Sequence, residues 1–326
     1  MFPYRRRFTK ETSIEILTKI SKGGDLDNHD LVSFITDEKS IFPTAIISDE
    51  RTYLEGAFLT DFYNEAARIH TQVWDSSRGK YFESPYSFWQ RIRNQNYFKN
   101  LSISNQREYI YSHTREATLF NIFVAVKIYN LVAKRIGTKI RIFDPFSGWG
   151  CRAIAACASS QVENYTGVDC NPYLCRGYQL LKKELDFQNM IEFIASSIED
   201  ESSIPKNGQY DLVFTSPPFF IFESYETKSG KQSTDTYSNY SDWLSFISTT
   251  FIRISRHLAP GGYIMIHLGN TGVAPNLEQD IQQAFSTFLN FVQKVNLQTK
   301  LSNGTLKRPV PIYVFQNIQL RSSEQS

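Results

Sequence analysis

The sequence predicts an α/β protein, a doubly wound sheet with helices on both faces, preceded by a mainly helical N-terminal region. Three observations predict it. From residue 140 onward, short apolar runs alternate with segments of helical spacing, the pattern of parallel crossover units. A glycine loop, Phe143-Asp144-Pro145-Phe146-Ser147-Gly148-Trp149-Gly150, lies between the first such run and the first following helix. The run from Tyr210 to Phe214 stops on Thr215-Ser216-Pro217-Pro218-Phe219, and two adjacent prolines cannot continue a ladder.

Residues 1–110 are the least regular. A helix is expected from Glu11 to Lys22, with apolar positions at Ile14, Leu17 and Ile20 and a stop at Gly23-Gly24. A second is expected from Asp61 to Thr71. The stretch from Tyr81 to Tyr97 interleaves Phe82, Phe88 and Trp89 with Arg91 and Arg93. Such a pattern can grip nucleic acid, and it equally suits an amphipathic element whose aromatics are core.

The clearest helix runs from Thr114, a suitable N-cap, to Arg135, and Gly137 closes it. Strands follow at Ile140–Asp144, Tyr165–Asp169, Ile191–Ala195, Asp211–Phe214, Tyr263–Leu268 and Pro311–Phe315. Helices between them are expected over 151–159, 172–185, 242–258 and 277–289. The polar stretch from Phe220 to Tyr240 is long for an internal loop, and such loops are usually functional. The chain therefore divides into an N-terminal region, 1–110, a candidate for target recognition, and an α/β domain, 111–326.

Composition excludes little. Net charge is +2 over 326 residues, and residues 1–110 hold 15 basic and 15 acidic residues, so overall charge does not announce a polyanion partner. The local exception, Arg5-Arg6-Arg7, is a candidate phosphate contact. No apolar stretch is long enough for a membrane span. Cys151, Cys157, Cys170 and Cys175 match no zinc spacing and read as reduced core thiols, so no metal is expected and a cytoplasmic setting is.

The glycine loop is the first site candidate. Glycines after a strand let the backbone approach a ligand, and an acid at the end of the next strand, here Asp169, can accept from ribose hydroxyls. A dinucleotide fingerprint would accept Ala153 in its third glycine place, so glycine spacing alone leaves NAD open. The second candidate is the rim at Ser216. A small hydroxyl before two prolines and an aromatic after them suits a planar group bearing an exocyclic amine.

Taken together, Asp144-Pro145-Phe146-Ser147-Gly148-Trp149-Gly150 and Ser216-Pro217-Pro218-Phe219 resemble the two motifs of the S-adenosylmethionine-dependent amino-methyltransferases of DNA, the N4-cytosine and N6-adenine group. The resemblance covers roughly residues 110–320 and implies a Rossmann-like methyltransferase sheet. It implies S-adenosyl-L-methionine as cofactor, held on its methionine side by Asp144, Phe146, Gly148 and Gly150 and at its ribose by Asp169. His113 and Thr114 resemble an extra cofactor motif just upstream. The acid that usually reads the cofactor adenine is replaced by Ser196-Ser197, and Ser197 is carried as the candidate beside Glu199 and Asp200.

The resemblance also implies a catalytic set of Ser216, Pro217, Pro218 and Phe219. Ser216 would accept from the target amine, and Phe219 would stack on a base flipped from the duplex. Serine at 216 tilts the target toward cytosine N4 over adenine N6. DNA is the expected partner ahead of RNA. A protein glutamine amide is disfavoured because those enzymes carry Asn in that place, and a non-catalytic scaffold is disfavoured by two intact motifs.

Overall fold

The computed structural model describes residues 1–4, 9–185, 190–205, 209–225 and 232–317. Arg5-Arg6-Arg7 and residues 226–231 of the long loop lie outside them. A sheet of nine strands runs through the molecule: β1 Val32–Ile35, β2 Ala45–Asp49, β3 Ile140–Asp144, β4 Val162–Asp169, β5 Ile191–Ala195, β6 Tyr210–Thr215, β7 Leu258–His267, β8 Asn290–Lys300 and β9 Val310–Gln316. Their order across the sheet is β1-β2-β8-β9-β7-β6-β3-β4-β5. The five strands β5, β4, β3, β6 and β7 are mutually parallel, and β9 returns antiparallel against β7.

Alternation along the central strands explains why the sheet is covered on both sides. Leu212 and Phe214 of β6 enter one core with Ile142, Met265 and Val314, whereas Val213 enters the other with Phe143, Ile264 and Phe315. The first face is packed by helices Lys10–Gly23, Glu50–Arg68, Ile122–Ile136, Cys151–Ala158 and Leu174–Glu184. The second is packed by Tyr240–Ser255 and Leu277–Phe285, through Trp243, Ile247, Phe251 and Ile281. Each of those side chains is at most 0 % exposed, a burial worth about 1.5–3 kcal/mol apiece relative to exposure.

The N-terminal residues contribute more strand than expected. β1 and β2 form an antiparallel pair, and β2 joins the main sheet through β8. A second small sheet pairs Gln72–Asp75 with Lys80–Tyr81 on one side and with Glu223–Ser224, just past the proline rim, on the other. Phe88 and Trp89 are buried with Phe2, Ile69, Ile92, Phe98 and Ile110. Those two rings are therefore core, and Arg91 and Arg93 stack over them at 4.9 and 5.0 Å.

The helix expected to begin at Thr114 begins later. Ile103–His113 is a separate helix, Thr114 follows its end with φ −125°, and the side chain of Asn121 caps Ile122–Ile136 by accepting from the amides of Phe123 and Val124. Residues 114–120 are drawn out of helix by tertiary partners. Arg68 Nη1 donates to the carbonyl of Ala117, and the Thr118 amide donates to Glu223. Gly137 ends the helix in the left-handed conformation, as its position predicts.

Candidate active site

The sheet order reverses between β3 and β6, and ligands of open α/β sheets bind at such a switch point, beyond the carboxyl ends of the strands. Two adjoining cavities lie there. They share a wall of Phe146, Gly148, Trp149, Ser216, Pro218 and Tyr225. The first, about 120 Å³, is completed by Asp169, Asn171, Ser197, Ile198 and Glu199 among others. The second, about 350 Å³, is completed by Leu119, Phe120, Arg152, Phe219, Glu223 and His267 among others.

The first cavity is built by the glycine loop. Gly148 and Gly150 have φ of +53° and +90°, a backbone that side chains disfavour, so the loop can turn tightly off β3 into the helix Cys151–Ala158. Asp169, at the end of β4, accepts the amides of Gly148 and Asn171, each at 2.9 Å. Burial pushes its carboxyl up to about 6 despite those two donors. From below, Asn64 Nδ2 donates to the carbonyl of Trp149 at 2.8 Å, so a helix of the N-terminal region braces the loop.

Three expected cofactor residues lie elsewhere. Asp144 is fully buried behind the loop, where Arg152 grips it through Nε at 2.6 Å and Nη2 at 3.2 Å and Tyr165 donates to it at 2.6 Å. Its oxygens satisfy an internal cation and line neither cavity. His113 stacks on Tyr109 and Phe88 at 4.3 and 5.5 Å, and Thr114 Oγ1 donates to the carbonyl of Ile110. Neither faces either cavity. Both correspond to the misplaced helix start described above. Phe146, Gly148, Asp169 and Ser197 line the first cavity, while Gly150 supports it as the residue that caps the helix.

Ser216, Pro217, Pro218 and Phe219 come together on the second cavity. The rim ends at Phe220, the one non-glycine residue with positive φ among those described, at +56°. Such a conformation costs on the order of 1–3 kcal/mol and persists where packing overdetermines it. Here the Phe220 ring is buried against Tyr240 and Trp243 at 5.6 and 6.2 Å.

His267, at the end of β7, was not singled out from the sequence. Its Nδ1 lies 2.8 Å from Ser216 Oγ, and its carbonyl lies 3.1 Å from the same oxygen. Burial, reinforced by Arg152, holds its imidazole down to about 3, so it is neutral. Phe120 packs edge-on against it at 4.9 Å. A polar residue closing the apolar run Tyr263 to Ile266, on a strand next to the rim strand, is a readable signal for such a residue. Glu223 also reaches the cavity, accepting from the Thr118 amide at 3.2 Å and from the Tyr225 hydroxyl at 2.5 Å. Burial raises its carboxyl.

Residues 210–313 match the family model of the DNA methylases of the N6/N4 type. The fold, the motif at the end of β6 and this match define an S-adenosylmethionine-dependent methyltransferase. Over residues 210–313, about a third of the chain, it is similar to the N4/N6 DNA methyltransferases. Solved structures with a partial likeness to this chain include the N-methyltransferase NodS from Bradyrhizobium japonicum WM9 in complex with S-adenosyl-l-homocysteine, at 13 % identity, covering 70 % of this chain and 91 % of that one, with a TM-score of 0.39. Another is TrmN from Thermus thermophilus, at 13 % identity, covering 61 % of this chain and 49 % of that one, with a TM-score of 0.39. No curated protein matches the sequence. Among the described residues no helix is long and apolar enough to cross a membrane, and no cluster of three or more His, Cys, Asp or Glu side chains is placed to hold a metal.

The residues present fit the cofactor. A carboxylate in the wall of the first cavity, a glycine backbone free to approach, and apolar walls from Phe146, Leu174 and Ile198 suit ribose, methionine and adenine in turn. Ser147 Oγ, buried in the loop, has no hydrogen-bond partner.

Proposed function

We propose that the chain methylates the exocyclic amino group of a nucleobase in DNA, cytosine N4 ahead of adenine N6. One observation carries the reading: Ser216 and Pro218 stand in the wall common to both cavities. A group bound in the second cavity thus meets a group bound in the first at the proline rim. Asp169 would hold the ribose, with Phe146, Gly148 and Ser197 along the rest of the cofactor.

S-adenosylmethionine supplies an electrophilic methyl on a sulfonium, whose carbon–sulfur electron pair stays on sulfur. Ser216 Oγ and a main-chain carbonyl of the rim accept the two amine protons. That draws the nitrogen lone pair out of conjugation with the ring and aims it at the methyl. Oriented acceptors and positioning provide the catalysis, without a strong base. The nitrogen then gives up its surplus proton to water. Phe219 stacks on the base, which reaches the rim only when flipped from its duplex.

Residues 1–110 are proposed to take part in target recognition. The small sheet supports this, because Gln72–Asp75 pairs with the segment just past the rim and Tyr81 Oη donates to the carbonyl of Ile221 at 2.6 Å. Incubation with labelled cofactor and DNA or RNA, followed by nucleoside mass analysis, names the polymer, base and atom. Methyl label only in RNA, or on ring carbon, would overturn the reading. So would a Ser216→Ala protein with undiminished rate.

A further inference from the structure

We infer that His267 is a positioning residue that makes Ser216 an obligate hydrogen-bond acceptor, so that the rim selects an amino group over a ring oxo group. The inference rests on the proposed methylation of a base amine. It starts from the fact that a serine hydroxyl is ambivalent, able to donate its one proton or to accept through two lone pairs. An oxo group at the target position would welcome a donor there; an amino group needs an acceptor. Which base edge the rim prefers therefore depends on where the Ser216 proton points.

The structure fixes that direction. Ser216 Oγ has two partners on one residue, His267 Nδ1 at 2.8 Å and the His267 carbonyl at 3.1 Å. If the imidazole carries its proton on Nε2, Nδ1 is an acceptor and takes the hydroxyl proton. If the proton is on Nδ1, the ring donates into Oγ and the hydroxyl proton goes to the carbonyl. In both tautomers the proton turns toward His267 and at least one lone pair faces the second cavity. The ring is kept in place by the edge-on contact with Phe120 at 4.9 Å, and Ser216 and His267 both line that cavity. The imidazole is held neutral by burial and by the Arg152 guanidinium, so the arrangement persists through the physiological range.

The test compares wild type with His267→Phe, which keeps a flat apolar ring and removes the imidazole partner, and with His267→Asn, whose side-chain oxygen can take the place of Nδ1. Mixed-sequence single-stranded oligonucleotides, with cytosine replaced by uracil or adenine by hypoxanthine, compete as unmethylated inhibitors against the amino oligonucleotide, and the ratio of the two affinities is read. Each replacement exchanges amino for oxo at the acceptor position and turns the adjacent ring nitrogen from acceptor to donor, a change common to every variant compared. Wild type is expected to prefer the amino oligonucleotide about tenfold or more, as expected when a site built for one polar group meets its opposite. In His267→Phe only the main-chain carbonyl remains to take the Ser216 proton, so the ratio should fall several-fold and kcat should drop with it, with cofactor affinity unchanged. His267→Asn should keep the preference. Full discrimination in a folded His267→Phe protein overturns the inference while leaving the methylation reading intact. If His267→Phe does not fold, a loss of discrimination in His267→Asn equal to that of Ser216→Ala overturns it instead. Absence of any amine methylation by wild type removes both.

Discussion

The carboxylate of Asp169 holds the amide of Gly148 at 2.9 Å, tying the end of β4 to the glycine loop in the wall of the first cavity. Asp169→Ala should therefore weaken S-adenosylmethionine binding by about ten- to a hundredfold, the worth of a charge-assisted hydrogen bond. Affinity should also depend on pH. Burial raises this carboxyl to about 6, and in the proposed cofactor pose the ionised form is the one that would accept from ribose. Binding should be full above that value and weaken as pH falls through it. Calorimetry at pH 7.5 and 5.5 checks both, and a flat profile would exclude Asp169 as the ribose partner.

Asp144 and Arg152 form a pair whose exposures are 0 % and 6 %. Removing one partner strands the other charge in the core, at about 3–5 kcal/mol. Asp144→Asn should lower the unfolding free energy by that amount, obtained from the urea midpoint and slope followed by far-ultraviolet circular dichroism. Losing cofactor affinity without losing stability would mean that Asp144 touches the cofactor directly.

Asn121 caps the helix Ile122–Ile136 and also donates to Thr52 Oγ1 at 2.7 Å. Asn121→Ala should cost about 1–2 kcal/mol. Because Phe120 beside it packs on His267, the same variant should lower kcat more than it raises the KM for cofactor, read from steady-state kinetics at a temperature well below melting.

Glu223 joins the Thr118 amide to the Tyr225 hydroxyl across the second cavity. Glu223→Ala frees both and should raise the KM for nucleic acid several-fold while leaving cofactor affinity unchanged. Equal loss of the two affinities would place Glu223 at the wall shared by both cavities rather than on the acceptor side.

Much of the α/β architecture could be read from the chain because buried parallel strands are short apolar runs bounded by turn residues. Ile140–Asp144 and Ile191–Ala195 occur with the boundaries their sequences predict. Asn290–Lys300 was missed. Of its side chains only Val295 is buried, so there is little alternation to read. The misplaced helix start at Thr114 has another origin. Residues 114–120 contain good helix formers, but distant Arg68 and Glu223 claim their backbone groups. The rim and the glycine loop were legible because proline and glycine announce backbone geometry locally. The partnership of Ser216 with His267 was not, since it joins residues 51 apart through strand pairing alone.

The strand Glu223–Ser224 lies inside the segment that matches the family, 210–313, yet it pairs with Gln72–Asp75 far outside it. The loop that faces the rim, residues 144–150, lies outside as well and leans on Asn64. The matched segment is consequently not portable. A chimera that imports residues 210–313 into a relative would arrive without its docking strand and without the opposite wall of its own cavity, and would have to bring the hairpin of residues 72–81 with it to keep its acceptor rim in register.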